Sequence, residues 1–122
     1  MAGLTNAESV ATLDARFPTS GGTDHIAWST NGTSEAAVFA RTPIGATGWA
    51  AATNADPSVK ANGTALTSAA AASSGTITHF AIYTALTGGT QRTDWTALSA
   101  SRAVVAGDQL TIAVGAISVT LT

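Results

Sequence analysis

The stretch Gln109-Leu-Thr-Ile-Ala-Val-Gly-Ala-Ile-Ser-Val-Thr-Leu-Thr122 predicts a register as well as a secondary structure. Glycine at the first central position is typical of a two-residue type II′ turn, so Gly115 and Ala116 predict a hairpin. The other reading of this stretch is a single strand with a bulge at Gly115. The hairpin register places three apolar pairs on one face: Leu110 with Leu121, Ile112 with Val119 and Val114 with Ile117. Such alternation is typical of a half-buried antiparallel sheet.

The segment before this stretch reads as further strands of the same sheet. Residues Thr76 to Thr84 are rich in β-branched and aromatic side chains, and glycines flank them on both sides. Both faces of this strand carry apolar residues, which predicts a central position. Two short strands follow, Thr93 to Ser99 and Ala103 to Val105, and the second leads into a turn at Gly107 and Asp108.

Composition narrows the classes of function. The chain has 122 residues, no cysteine, 10% charged residues and a net charge of −2, whereas roughly a quarter of residues are charged in ordinary soluble domains. Five Lys and Arg residues are too few for a basic patch, so we expect no nucleic-acid partner. The first residues resemble no export signal, and no run approaches the roughly 20 apolar residues of a membrane span, so we expect no membrane partner.

The N-terminal half predicts one helix and weaker strands. Thr5 and Glu8 have capping-box spacing, and helical apolar spacing ends before a proline, which predicts a helix over residues 4–17. Residues 25–30 predict a strand, and Asn31-Gly32 predicts a tight hairpin turn to a return strand over residues 35–41, with a longer loop through Ser34 as the alternative. Residues 42–52 predict at best an edge strand, and residues 53–74 predict turns with one weak strand at 64–67. The fold class is therefore all-β, an antiparallel β-sandwich with a short N-terminal helix. We expect a single domain over 1–122, with the sheet core over 18–122.

The sequence offers no catalytic, cofactor or metal site. His25 and His79 lack the spacing of metal ligands, so we interpret His79 as a packed or interface side chain. The Asn-Gly-Thr sequences at Asn31 and Asn62 read as turns. An enzyme would need two carboxylates that folding brings close together, because the carboxylates are isolated along the chain. The seven carboxylates are Glu8, Asp14, Asp24, Glu35, Asp56, Asp94 and Asp108.

Large aromatic and guanidinium side chains are the candidate contact residues. Tryptophan is common both in cores and at interfaces, and we expect two of the three tryptophans to be core. Arginine suits partly buried ion pairs, with plain solvation as the alternative. The predicted interface set is Trp28, Arg41, Trp49, Tyr83, Arg92 and Trp95, with Arg102 as a further ion-pair candidate.

The order of these motifs resembles a small virion protein family of tailed bacteriophages. The similar segments are Thr76-Ile-Thr-His-Phe-Ala-Ile-Tyr-Thr-Ala-Leu-Thr-Gly-Gly89, the strand that leads to Val105, and Ala106-Gly-Asp-Gln-Leu-Thr-Ile-Ala-Val-Gly-Ala-Ile-Ser-Val-Thr120. Phe39-Ala-Arg-Thr-Pro43 and Trp49-Ala-Ala-Ala52 also fit the family, so the likeness covers residues 38–122. The N-terminal strand is shorter than the family usually has.

The resemblance implies a structural protein of the virion, assembled in the bacterial host cytoplasm. We expect a non-enzymatic capsid decoration protein that stabilises the outside of the head. Its expected partners are the major capsid protein or other virion proteins, and the expected state is a homo-oligomer, with a trimer favoured. A tail or tail-fibre subunit is the first alternative, and a carbohydrate-binding module with a tryptophan platform is the second.

Overall fold

The computed structural model describes residues 4–19, 22–45, 48–55 and 57–121. The strands that pair do so antiparallel, so the prediction of an all-β fold with a short N-terminal helix is confirmed. Within the described residues the chain forms one helix and eight strands: α1 (Asn6–Arg16), β1 (His25–Ser29), β2 (Thr42–Pro43), β3 (Ser58–Ala61), β4 (Leu66–Thr67), β5 (Gly75–Tyr83), β6 (Thr96–Val104), β7 (Thr111–Ile112) and β8 (Ser118–Leu121).

The chain divides into two compact units. The first contains Met1–Gly22, Ile44–Ala65 and Ile112–Thr122, and the second contains Thr23–Pro43 and Leu66–Thr111. Each unit is therefore built from segments that are distant in sequence. The single sandwich domain over 1–122 stays a prediction.

Helix α1 begins where the capping chemistry predicts. Thr5 lies in extended conformation before the helix, and its Oγ1 accepts a hydrogen bond from the Glu8 amide at 3.2 Å. At the other end the Phe17 amide donates to the Leu13 carbonyl at 2.8 Å, just before Pro18. Leu13 and Phe17 are both buried. The helix therefore presents the apolar side that the sequence indicates.

The first unit contains a strand that sequence reasoning missed. Strand β3 pairs antiparallel with β8, and helix α1 packs on β3. The Phe17 ring meets the Trp49 ring edge-on, with 5.3 Å between the ring centroids. The prediction of turns over residues 53–74 was wrong at β3. In this strand Lys60 is fully buried beside the carboxylate of Asp14 in α1.

The C-terminal hairpin prediction was wrong, because the two strands pair elsewhere. Strand β8 pairs with β3, and β7 pairs with β4. The turn lies one residue earlier, with the Ala116 amide donating to the Ala113 carbonyl at 3.0 Å and Gly115 at φ +80°.

Asn62 is the physical reason for that difference. It is 1% exposed, and its side-chain amide donates to the Ala113 carbonyl at 2.9 Å and accepts from the Ile117 amide at 3.0 Å. Its backbone carbonyl accepts from Gly115 at 2.9 Å. Its backbone amide also donates to the Ile117 carbonyl at 3.1 Å. Asn62 therefore occupies both the amide and the carbonyl that Ile117 would have used across the predicted turn.

The second unit contains a four-stranded sheet in the order β2-β1-β5-β6. The prediction that the strand near residue 80 is central is confirmed, because β5 pairs with β1 on one side and β6 on the other. Side chains from both faces of β5 are buried, namely Ile77, Phe80, Ala81 and Ile82. A strand that is covered on both faces forms the core of this unit.

A longer loop, and not a two-residue hairpin turn, follows β1. The Asn31 Oδ1 atom accepts hydrogen bonds from the amides of Thr33 and Ser34 at 2.9 and 3.1 Å. The Ala36 amide then donates to the Trp28 carbonyl at 2.8 Å. The predicted return strand over residues 35–41 is replaced by bends and turns, and β2 lies beside β1 instead.

The two edges of the four-stranded sheet are both irregular. At one edge β2 is two residues long and ends in Pro43. At the other edge β6 covers most of the two predicted short strands. Its pairing with β5 is irregular, because Ile77 lies opposite Arg102 while His79 lies opposite Ala97. Four residues of β6 therefore bulge opposite one residue of β5.

Candidate functional site

Two of the six predicted contact residues lie in the core. Trp28 is 2% exposed and Trp49 is 3% exposed. The Trp28 indole donates to Thr42 Oγ1 at 3.1 Å, so its polar edge is satisfied inside the sheet. Trp95 is only partly buried. The expectation that two tryptophans are core is confirmed, and the interface role of the whole set stays a prediction.

Arg41 is the centre of a polar cluster in the second unit. Its Nε and Nη2 atoms donate to the two carboxylate oxygens of Glu35, each at 2.9 Å. Its Nη1 donates to the carbonyls of Ala85 and Gly88 at 2.9 and 2.7 Å. The hydrogen bond to Glu35 is the main cause that raises the pKa of Arg41 above its usual range. The guanidinium therefore remains charged and fixed by a bidentate pair.

Three of the predicted contact residues meet in one row. The guanidinium carbon of Arg41 lies 3.9 Å from the centroid of the Tyr83 ring, which is cation–π geometry. Tyr83 in turn packs against Trp95 with 6.2 Å between the ring centroids. Arg92, three positions before Trp95 in the sequence, pairs with the buried Asp24, with 3.7 Å between Nε and Oδ1. The fold thus brings Arg41, Tyr83 and Trp95 together.

The loop of residues 84–90 is hydrogen-bonded to Arg41 through the Ala85 and Gly88 carbonyls. The Thr84 amide donates to the Thr90 carbonyl at 3.1 Å, and the Thr90 amide donates to Thr84 Oγ1 at 2.9 Å. Gly88 and Gly89 follow each other at φ +62° and +70°, a conformation that other residues rarely adopt. We call this segment the Leu86 loop, because it displays that leucine with 52% of its surface exposed.

An open cleft lies beside the Leu86 loop. Its volume is about 470 Å³, and the Arg41–Glu35 pair lies in its wall. Phe39, which is buried, contributes to its floor. The remaining apolar lining consists of Ala36, Ala37, Ala40 and Leu86. We call this surface the alanine cleft.

The first unit contains its own ion pair. The Lys60 Nζ atom donates to Asp14 Oδ1 at 2.7 Å, and the Ala52 amide donates to the same oxygen at 3.0 Å. These hydrogen bonds, the one from Lys60 first, hold the pKa of the Asp14 carboxyl below its ordinary value. The pair joins α1 to β3 and makes a buried lysine tolerable in a strand.

His79 packs against the loop that follows β1. The His79 ring lies against the Asn31 loop, so closely that a Cβ atom on Gly32 would come within 2.8 Å of it. This confirms the interpretation of His79 as a packed side chain. Asp56 lies outside the described residues, and among the others no group of three His, Cys, Asp or Glu residues could hold a metal ion.

The described part of the chain holds no helix with the length and apolar character that a membrane span requires.

Sequence reasoning missed two residues of this site. Glu35 carries no local signal, because it meets Arg41 through the turn at residues 37–39, where the sequence predicts a strand. Leu86 lies between a strand and a Gly-Gly pair that the sequence marks only as the end of the strand. A leucine between a predicted strand and a glycine turn is the signal that could have found it.

Within this small all-β fold, Arg41 and Glu35 neutralise each other, and Arg41 holds a loop in place. The chain belongs to the family described as podophage GP4 fiber I protein gp80, whose family model matches residues 4–120. It is thus a member of a virion structural protein family of tailed phages. No curated protein matches this chain.

Proposed function

We propose that the chain is a non-enzymatic subunit of the phage tail fibre. The observation that carries the proposal is the family match over residues 4–120, because the family is described as a fibre protein. The site geometry agrees with a structural role, because Arg41 donates its hydrogen bonds to Glu35 and to two carbonyls of its own chain. Such a cluster fixes the shape of a surface and leaves no free acid or base for chemistry.

The fibre subunit is proposed to act as a homo-oligomer that contacts other virion proteins, and a trimer is the favoured state. Low charge supports this, because 10% charged residues leave a neutral, hydroxyl-rich surface that does not repel a second copy. Capsid decoration is the second candidate, and the same neutral surface favours it. A decoration protein would stabilise the shell by binding the assembled state.

The burial of tryptophan counts against the carbohydrate-binding module. A stacking platform needs exposed flat rings, whereas Trp28 and Trp49 are almost fully buried. Trp95 alone keeps accessible surface, and one of its faces already meets Tyr83.

Cryo-electron microscopy of the intact virion tests the proposal. Antibody fragments raised against the purified chain mark its position in the map. Density on fibres at the tail is the expected result, and the number of copies around the tail axis gives the symmetry. Density on the capsid lattice would refute the tail-fibre proposal and support the capsid decoration role.

A further inference from the structure

We infer that Asn31 is a site of spontaneous chemical modification, at which the side-chain amide is converted to a carboxylate through a cyclic succinimide. The chain contains two Asn-Gly sequences, Asn31-Gly32 and Asn62-Gly63, and a threonine follows each of them. Their local sequences are nearly the same, so a difference in reactivity between them must come from the fold. The inference does not depend on the proposed fibre function.

The reaction needs only water and the chain itself. The backbone nitrogen of Gly32 attacks Cγ of Asn31 and loses its proton to a solvent base, which closes the succinimide ring. The bond between Cγ and Nδ2 breaks, and the leaving nitrogen takes up a proton from water and departs as ammonia. A water molecule then opens the ring and leaves an aspartate or an isoaspartate. Glycine favours this ring closure because it has no side chain to obstruct it.

The turn around Asn31 prepares its side chain for this attack. Oδ1 of Asn31 accepts hydrogen bonds from the Thr33 amide at 2.9 Å, the Ser34 amide at 3.1 Å and the Thr33 hydroxyl at 3.1 Å. These bonds fold the side chain back over the peptide that carries the Gly32 amide, which favours an intramolecular reaction. The same donors meet the oxygen on which negative charge develops as the ring closes.

The nucleophile and the leaving group of Asn31 are both loosely held. Asn31 is exposed, so water reaches its side chain. The Gly32 amide donates to Ser29 Oγ at 2.9 Å, and the loss of this hydrogen bond frees it to react. Nδ2 of Asn31 donates a long hydrogen bond of 3.3 Å to Ser34 Oγ. Ring closure at Asn31 therefore requires only a small local movement.

Asn62 presents the opposite case. It is 1% exposed, and its Nδ2 donates to the carbonyls of Thr64 and Ala113 at 2.8 and 2.9 Å. The Gly63 amide, which would be the nucleophile, donates to the Gly48 carbonyl at 2.7 Å. A succinimide at Asn62 would break all of these hydrogen bonds, so the reaction there must wait for local unfolding.

Peptide mapping by mass spectrometry, after the folded chain is aged at mildly alkaline pH, tests the inference. Trypsin separates the two sequences, because Asn31 lies between Arg16 and Arg41 and Asn62 lies between Lys60 and Arg92. We expect Asn31 to be converted at least about tenfold faster than Asn62, which reacts only after local opening. A chain digested without ageing gives the background.

The same ageing in guanidinium chloride is the control for sequence. We expect the rates at Asn31 and Asn62 to become similar there, because the fold is lost and the neighbouring residues are alike. A folded chain in which Asn31 stays unmodified would overturn the inference, and so would equal rates at the two sites in the folded chain.

Thr33→Val tests whether the turn assists the reaction. It removes the hydroxyl donor to Oδ1 of Asn31 but keeps the backbone amide. We expect conversion of Asn31 to slow about threefold in the folded chain, less than for a donor in a closed active site because the turn is exposed, and to be unchanged in guanidinium chloride. Circular dichroism melting shows whether the variant keeps the fold. An unchanged rate in the folded variant would refute the assistance by the turn.

Discussion

In each of the two units a buried polar side chain holds loops in place. The side chain is neutral in the first unit and charged in the second. In the first unit the neutral amide of Asn62 bonds Thr64 and both sides of the turn between Ala113 and Ile117, and Asn62 is 1% exposed. In the second unit the charged Arg41 binds the Leu86 loop, is 8% exposed and requires Glu35 beside it. We call Asn62 the neutral hub and Arg41 the charged hub. A neutral side chain can be buried without a counterion, whereas a buried charged side chain needs an opposite charge beside it.

Removal of the neutral hub is expected to have the largest effect. Asn62→Ala leaves the buried Ile117 amide without a partner, at about 1–3 kcal/mol, and removes two further hydrogen bonds, to the Ala113 and Thr64 carbonyls, at about 1 kcal/mol each. We expect a loss of about 4 kcal/mol of unfolding free energy, measured by urea denaturation.

Asn31→Ala is the matched control for that loss, because Asn31 organises an Asn-Gly-Thr turn that is exposed. We expect the control to lose about 1 kcal/mol. Equal losses in the two variants would contradict the role of Asn62 as a hub.

A change of geometry at constant charge is expected to weaken the charged hub. Arg41→Lys keeps the cation but cannot hold Glu35 through two nitrogens while also donating to two loop carbonyls. We expect a loss of about 2 kcal/mol in the same denaturation experiment. Arg102→Lys, at an exposed position of β6, should change stability by less than about 0.5 kcal/mol. If both variants behave alike, the fork geometry of Arg41 contributes nothing.

The protonation of Asp14, the more exposed member of the ion pair in the first unit, is expected to give the smallest effect, and one that depends on pH. The folded-state pKa of Asp14 is lowered by the hydrogen bond from Lys60, so its contribution is present above the unfolded pKa of about 3.9 and is lost as pH falls through the folded pKa. We expect at most about 1 kcal/mol after solvent screening, because the Asp14 side chain is 37% exposed.

Asp14→Asn keeps an oxygen for both donors and should remove this part of the pH dependence, measured as unfolding free energy between about pH 6 and pH 3. Asp94→Asn, at an exposed position, is the control and should keep the wild-type slope. An unchanged slope in Asp14→Asn would refute the assignment.

Local chemistry explains which elements could be predicted from sequence. Helix α1 follows from Thr5, Glu8 and Pro18, which act within a few residues of one another. Strand β5 follows from its own composition and its glycine boundaries. Arg41 and the aromatic residues beside it were predicted as contact candidates from their side-chain types, and the fold joins them in one row.

Long-range polar bonds explain what could not be predicted. The lysine in β3 reads as a surface residue until Asp14, 46 positions earlier, is placed beside it. The C-terminal hairpin has a consistent apolar register, but Asn62, 55 positions before Ile117, bonds both the amide and the carbonyl of Ile117. Apolar alternation cannot reveal a partner that competes from another part of the chain.

The irregular edges of the four-stranded sheet also decide how the protein behaves when many copies are crowded together. An open strand edge can recruit strands from neighbouring molecules without limit, which ends in aggregates. Here one edge is a two-residue strand that ends in Pro43, and the other is interrupted by a bulge of four residues against one. Neither edge offers a straight row of free amides and carbonyls. The edges of this sheet therefore hinder its run-on growth through strands of neighbouring molecules.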